Sequence, residues 1–317
     1  MERILITGSG GQLGTVLRKA LIDKYGTERV VATDIRPRTD EFGSIDLLNA
    51  VDRNGLENLI KEQSITQIYH LAAILSASGE ADPVRTWDIN LKSWLNVLEA
   101  ARKYKVEKVF FPSSIAVFGA SANKVDTSQT EYLDPLTVYG ISKAAGEQWG
   151  NYYFSKFGVD VRSIRYPGVI GHESLPGGGT TDYAVEIYHK AINNEAYTCY
   201  LSKNTALPMI YMADAIRATL ELMDAPKEKI KTRTSYNING LSFTPEEITR
   251  SIKKWYPNFT VEYQPDFRQK IAENWPSSID DTQAQRDWNW SPHYQLDDVS
   301  NEMIAELRKK QNLLKEV

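Results

Sequence analysis

Short apolar runs alternate with longer amphipathic stretches through the first half of this chain. Residues 3–7, 30–34, 67–71, 108–112 and 161–166 have strand length and are rich in Val, Ile and aromatic residues, which predicts buried strands. Between them, residues 12–25, 53–63, 87–104 and 138–157 read as helices. Strands and helices in strict alternation predict an α/β protein. Its parallel sheet is doubly wound, covered on both faces, and binds ligands beyond the carboxyl ends of the strands.

The second half is patterned differently. Glycine and proline cluster at residues 176–179, a helix is expected over 183–193, and a Pro/Met patch occupies 207–212. Asp214 is expected to cap a helix over 215–223. Thr244 is expected to cap a proline-initiated one over 245–255. Trp275, Trp288 and Trp290 crowd a loop-rich stretch. The division expected is residues 1–168 as a dinucleotide-binding domain and 169–317 mainly as a smaller substrate-binding lobe, interleaved with the last strands of the sheet.

The first strand runs into Gly8-Ser9-Gly10-Gly11-Gln12-Leu13-Gly14 and then into a helix. Gly8 suits the tight turn, Gly11 lets backbone approach a pyrophosphate, and Gly14 lets helix pack close to strand. The helix N-terminus, including Gln12 and Leu13, offers free N–H groups and a positive dipole end to phosphates. Asp34 closes the next strand, twenty residues beyond Gly14. A carboxylate there accepts ribose hydroxyls and repels a 2′-phosphate, so NAD is expected over NADP, although Arg36 stands close by. This is the Rossmann arrangement.

Tyr139 and Lys143 are four residues apart at the start of a predicted helix and therefore share a face. A neighbouring ammonium favours phenolate and makes tyrosine a usable base. Ser113 and Ser114 close the preceding strand, and either offers a hydroxyl to a reacting oxygen; Ser114 is the first choice.

Composition narrows the field. The chain is 42% hydrophobic and 25% charged, with a net charge of −4 that gives no reason to expect a nucleic-acid or anionic-membrane partner. The densest basic run, 227–233, is expected to be solvated. One cysteine, Cys199, excludes internal disulfides and thiolate clusters, and His70, His172, His189 and His293 lack metal-ligand spacing, so no metal is expected. No apolar run approaches the length of a membrane helix. The chain enters its first strand directly, and a cytoplasmic location is expected.

These motifs together resemble the extended short-chain dehydrogenases, whose glycine pattern is TGxxGxxG. The resemblance implies an adenine-contacting pair at Asp46 and Leu47, and a strand end along the cofactor at His70, Leu71, Ala72 and Ala73. It also implies a cofactor-side asparagine at Asn90, and a segment packing on the nicotinamide at Tyr166-Pro167. Three further stretches, at 75–80, 177–184 and 207–215, are similar to the short-chain type of L-threonine 3-dehydrogenase, as are 265–281 and 287–290. That family uses NAD and no metal to oxidise the β-hydroxyl of threonine to 2-amino-3-ketobutyrate. On this reading Tyr139 is the base and Ser114 holds the oxygen. Backbone N–H groups of the glycine loop at Gly177, Gly178 and Gly179, with Thr180, Thr181 and Ser76, bind the carboxylate. Thr180 or Thr181 can also serve as a helix cap. A UDP-hexose 4-epimerase shares the cofactor site and the Tyr–Lys pair, but typically carries an arginine where this chain has the apolar 207–213. An NAD-sensing protein without catalysis is the alternative from a different class. The apolar face of Trp94, Leu95, Leu98 and Trp149 suits either a homodimer interface or the core.

Overall fold

The computed structural model describes residues 2–177 and 179–315; Gly178 of the glycine loop lies outside the described residues. The first half builds β1 (Ile4–Thr7), α1 (Gln12–Tyr25), β2 (Val30–Asp34), β3 (Arg38–Asp40), β4 (Gly43–Leu47), α2 (Arg53–Glu62), β5 (Gln67–His70), α3 (Ser76–Gly79), α4 (Pro83–Tyr104), β6 (Lys108–Ser114), α5 (Val138–Phe157) and β7 (Val161–Tyr166). The second half adds β8 (Gly168–Ile170), α6 (Tyr183–Ile192), β9 (Tyr197–Cys199), β10 (Leu207–Tyr211), α7 (Met212–Asp224), β11 (Tyr236–Asn237), β12 (Leu241–Phe243), α8 (Pro245–Lys253), β13 (Val261–Tyr263), α9 (Phe267–Ala272), α10 (Thr282–Trp288) and α11 (Leu296–Lys315).

Eight strands form one sheet in the order β11-β7-β6-β5-β1-β2-β4-β3, parallel except for the β3–β4 pair. From β1 the chain steps outward to β2 and β4, then returns to β5 on the other side. The order therefore reverses between β1 and β5, and the helix that follows β1 turns away there, leaving a crevice. One face of the sheet packs on α1 and α7, the other on α2, α4 and α5. A separate core joins α6, α8 and α11 over the three-stranded sheet β12-β10-β8.

Several elements begin elsewhere than the periodicity predicts, each for a local reason. Helix α4 starts at Pro83 rather than near residue 87, because Asp82 accepts the Arg85 N–H and Pro83 occupies the first turn. The Pro/Met patch is the fully buried strand β10. Asp214 is not the cap of α7, which starts at Met212 after Tyr211. Its carboxylate is buried and accepts the backbone N–H groups of His293 and Tyr294 at 2.8 and 3.2 Å, tying the C-terminal segment to this helix. Neither Thr180 nor Thr181 caps α6; Asp182 precedes it. Thr244 does cap α8, in a full capping box with Glu247. In the basic run, Arg233 is not solvated: it pairs with buried Asp160 at 2.6 Å. Trp94 and Leu98 are core residues at 1% and 0% exposure, whereas Trp149 is 37% exposed, so the four-residue face splits between interior and surface.

A buried polar chain sets α5 against the sheet. The Ser113 hydroxyl donates to Glu147 at 2.5 Å, and Glu147 accepts two bonds from Arg165 of β7 at 2.9 and 2.8 Å. Arg165 reaches on to Asn237 of β11 at 3.1 Å. Both charges are almost wholly removed from water, so removing one strands the other. Glu147→Ala is expected to lower unfolding free energy by about 3–5 kcal/mol in urea titration; a loss under about 1 kcal/mol would show the network to be dispensable.

Candidate active site

The crevice at the β1–β5 reversal holds a cavity of about 260 Å³. Its floor is the glycine turn. Gly8 takes φ +75°, and a Cβ there would lie 2.6 Å from the Ala72 nitrogen; one on Gly14 would lie 2.4 Å from the Gly8 carbonyl oxygen. Larger residues would force β1, β5 and α1 apart. No acidic residue stands in the first turn of α1 and, among the described residues, no side chain caps it. Its first N–H groups are therefore free to meet a diphosphate. Asp34 closes β2 and accepts the backbone N–H groups of Gly10 at 3.0 Å and Arg36 at 3.2 Å. It keeps lone pairs for ribose hydroxyls. These features fit a dinucleotide with an unphosphorylated ribose.

The strand ends are braced by His70. Its Nδ1 lies 2.8 Å from the Thr7 hydroxyl and its Nε2 3.3 Å from that of Ser93, and its ring stacks on Trp94. Burial, aided by the Lys143 charge, pulls its pKa down to about 3, so it is a neutral strut between β1, β5 and α4. Asn90, also on α4, donates to the Ile74 carbonyl and to Ser142, and accepts the Ile74 N–H at 2.8 Å. It pins the loop after β5 to the start of α5.

Thr137 caps α5 through the Gly140 N–H, and the first turn carries Tyr139 into the cavity. Lys143 follows one turn later, its Nζ 5.4 Å from the Tyr139 ring and 4.8 Å from that of Phe111. Ser114 closes β6 with its Oγ accepting the Ala116 N–H at 3.2 Å, and it lines the cavity with Tyr139, where its hydroxyl favours the phenolate. Burial pushes Tyr139 up to about 12, against the Ser114 hydroxyl, and burial alone brings Lys143 down to about 7. Each shift is the cost of a lone charge in a dry cleft. Phenolate and ammonium formed together offset it.

Gly8, Gly11, Gln12, Leu13, Gly14, Leu71, Ala73, Ser76, Ser114, Tyr139, Lys143, Tyr166, Gly179, Thr180 and Thr181 all line this one cavity. Ala72, Asp34, Asp46, Leu47 and Asn90 do not. Ala72 packs its backbone on Gly8, and Asn90 is the brace just described. Asp46 and Leu47 sit opposite Thr33 and Asp34 on β4, open to solvent at the far end of the crevice. The alternative hydroxyl, Ser113, also lines the cavity but donates to Glu147.

The stretches 75–80 and 265–281 were singled out in the sequence, but not which of their residues reach the site, and Tyr200 was not singled out at all. Leu75 and Trp275 line the cavity. Trp275 arrives because the loop after α9 is stitched to residues 124–127 by the Ser277 N–H to Lys124 and the Thr127 N–H to Ser278. Tyr200 donates its hydroxyl to the Gly179 carbonyl at 3.2 Å, while Asp182 accepts the Gly179 N–H at 2.8 Å, so the described part of the glycine loop is held from both sides. For Tyr200 the sequence held no local signal.

Fold and cleft together define a Rossmann-type oxidoreductase in which Ser114, Tyr139 and Lys143 line one cavity. The chain belongs to the NAD-dependent epimerase/dehydratase family, whose model matches residues 4–239. An epimerase/dehydratase of Staphylococcus aureus strain USA300, itself uncharacterised, is 44% identical over 315 residues, 98% of each chain. The GalE-like L-threonine dehydrogenase of Cupriavidus necator, in its holo form, is 50% identical with a TM-score of 0.95, covering 96% of this chain and 99% of its own. A monomeric L-threonine 3-dehydrogenase from a metagenome is 45% identical with a TM-score of 0.94, covering 97% and 99%. The protein is an NAD-dependent oxidoreductase.

The depressed Lys143 pKa has a consequence for stability. Between about 7 and the ordinary 10.5 the unfolded chain holds a proton that the NAD-free fold does not, so this group's penalty is full below pH 7 and is relieved as pH rises. Lys143→Met is therefore expected to melt above the wild type near pH 6.5, with the gap closing toward pH 10 in thermal scans without NAD. A gap that does not change with pH would contradict this.

Proposed function

We propose that this enzyme oxidises the β-hydroxyl of L-threonine to 2-amino-3-ketobutyrate, with Tyr139 as general base. The observation that carries the reading is the make-up of the substrate end of the cleft. Ser76, Ser114, Thr180 and Thr181 line it together with Trp275 and Asp182, and among the described lining residues Lys143 is the only basic side chain. A nucleotide-sugar diphosphate is normally paired with cations. A small zwitterion needs only hydroxyls and backbone donors. Thr180 Oγ1 is buried without a partner among the described residues, which makes it a ready donor to a carboxylate. The threonine dehydrogenases among the relatives support the same substrate.

In the chemical step Tyr139 Oη takes the hydroxyl proton while Ser114 holds the same oxygen. The carbon–hydrogen bond breaks with its electron pair leaving on the hydrogen, and the carbonyl forms. NAD, when bound, supplies the hydride acceptor. Lys143, protonated, steadies the phenolate, and Trp275 helps to exclude water. In this reading residues 1–168 carry the cofactor and 169–317 mainly the substrate, and the single buried cysteine suits a reducing cytoplasm. No described helix is long and apolar enough to cross a membrane.

L-Threonine is expected to drive NADH formation at 340 nm and UDP-galactose to be left unchanged. Tyr139→Phe should lower turnover by about two to four decades with NAD affinity retained. Thr180→Ala should raise KM for threonine more than for NAD. Epimerisation of UDP-galactose without threonine oxidation would overturn the assignment.

The outward face of α5 exposes Ile141, Trp149 and Tyr152 at 45%, 37% and 48%. We assign it to a homodimer contact, since adjacent aromatic residues on one helix face are more exposed than a monomer needs. Sedimentation velocity should give a dimer for the wild type and a monomer for Trp149→Glu. A wild-type monomer at micromolar concentration would place this protein with its monomeric relative.

A further inference from the structure

A second cavity, of about 290 Å³, lies behind the glycine loop, away from the Tyr139 cleft. Its wall comes from three places: His172, Glu173, Ser174 and Leu175 after β8; His189 and Ile192 on α6; and Leu307, Lys310 and Gln311 on α11. Four of these side chains hold a polar atom that is shut from solvent and has no hydrogen-bond partner among the described residues. They are His172 Nδ1, Glu173 Oε2, Ser174 Oγ and His189 Nε2. Buried polar groups are nearly always satisfied, so four orphans around one cavity ask for a partner that the chain itself does not supply.

The orphans sort by charge. His172 Nε2 lies 3.4 Å from Glu173 Oε1, which orients that ring and leaves its Nδ1 as an acceptor when the ring is neutral, and Glu173 Oε2 is a second unpartnered acceptor. Burial lowers the pKa of both imidazoles, which favours neutral rings. Of the other lining groups, His189 Nε2 in its protonated tautomer, the Ser174 hydroxyl and the Lys310 ammonium are donors. Lys310 already donates to the His172 carbonyl at 2.5 Å and has two further N–H groups. Leu175, Ile192 and Leu307 supply the apolar remainder. An acceptor pair, a donor group and an aliphatic wall match an ammonium, a carboxylate and a short hydrocarbon side chain.

We propose that this cavity is a second small-molecule site, which binds a free aliphatic amino acid and sets the glycine loop. The coupling follows from the chain path. Residues 172–175 lead into the loop whose Gly179, Thr180 and Thr181 line the Tyr139 cleft, and His189 stands on the helix that leaves it. A ligand gripping both flanks changes the cost of holding Gly179, Thr180 and Thr181 in place, and so the affinity of the cleft. The proposal does not depend on the identity of the substrate, since binding is read without turnover.

The probe is L-leucine, which has no hydroxyl to oxidise, added to the NAD-loaded full chain. Calorimetric titration should show binding to the wild type and equally to Tyr139→Phe. Glu173→Gln and His189→Leu should each weaken it at least tenfold, while their NAD affinity stays unchanged as a check of folding. In threonine turnover, leucine should shift KM in the wild type and not in these variants, whose basal rates stay within twofold. Ser174→Ala gives a milder variant should either of the others misfold. Absence of leucine binding, equal binding by wild type and cavity variants, or simple competition between leucine and threonine would each overturn the site. Loss of threonine oxidation with leucine binding intact would overturn the proposed function alone.

Discussion

Burying an ammonium without a carboxylate beside it is the demand around which this fold is arranged. Lys143 is 5% exposed and touches the faces of Phe111 and Tyr139 rather than an acid. An isolated buried charge is expensive, and a helix carrying one stays in place only if other contacts over-determine its position. Helix α5 has them: the Ser113–Glu147–Arg165 chain on one side, and the Trp94 indole donating to the Gly146 carbonyl at 3.0 Å on the other. Stability built in the sheet thus holds a poised pair at its edge.

The same economy governs the neighbours of the pair. A charged His70 in this cleft would compete with Lys143; buried between Thr7, Ser93 and Trp94, it stays neutral and acts as a brace. A free acid near Lys143 would hold the lysine protonated and quench its response to the tyrosine. The acids of this region are spent elsewhere: Glu147 on Arg165, Asp214 on the C-terminal segment, and Asp182 on Gly179. The cleft is left with hydroxyls, backbone, one cation and the Asp182 carboxylate, which already accepts the Gly179 N–H.

Local rules carried the reading of the first half. Gln12–Tyr25, Val30–Asp34, Val138–Phe157 and Val161–Tyr166 have the bounds that periodicity predicts. Each is bounded by a residue whose conformational preference acts over a few positions, as with Gly26 and Gly158, both at positive φ. Short strands such as β8, β9 and β12 have three residues each, too few for a period to show, and exist because neighbours pair with them. Asp214 misled for a related reason. A carboxylate near a helix start reads as a cap, but its partners lie some eighty residues on, at His293 and Tyr294.

By itself the sequence determined the elements whose cause is local: the glycine turn into α1, Asp34 closing β2, and Tyr139 and Lys143 one helical turn apart. It also brought Ser114 to the end of a strand, because strand length is set by composition. Which hydroxyl was free only the tertiary structure decided. Ser113 and Ser114 are equivalent until Glu147 on α5 takes one of them. Tertiary structure alone also brought Tyr200 to the glycine loop and Trp275 to the cavity it borders, and left His172, Glu173 and His189 around one cavity. Those placements depend on which surfaces pack after the chain has folded back across more than a hundred residues, and no spacing along the chain records that.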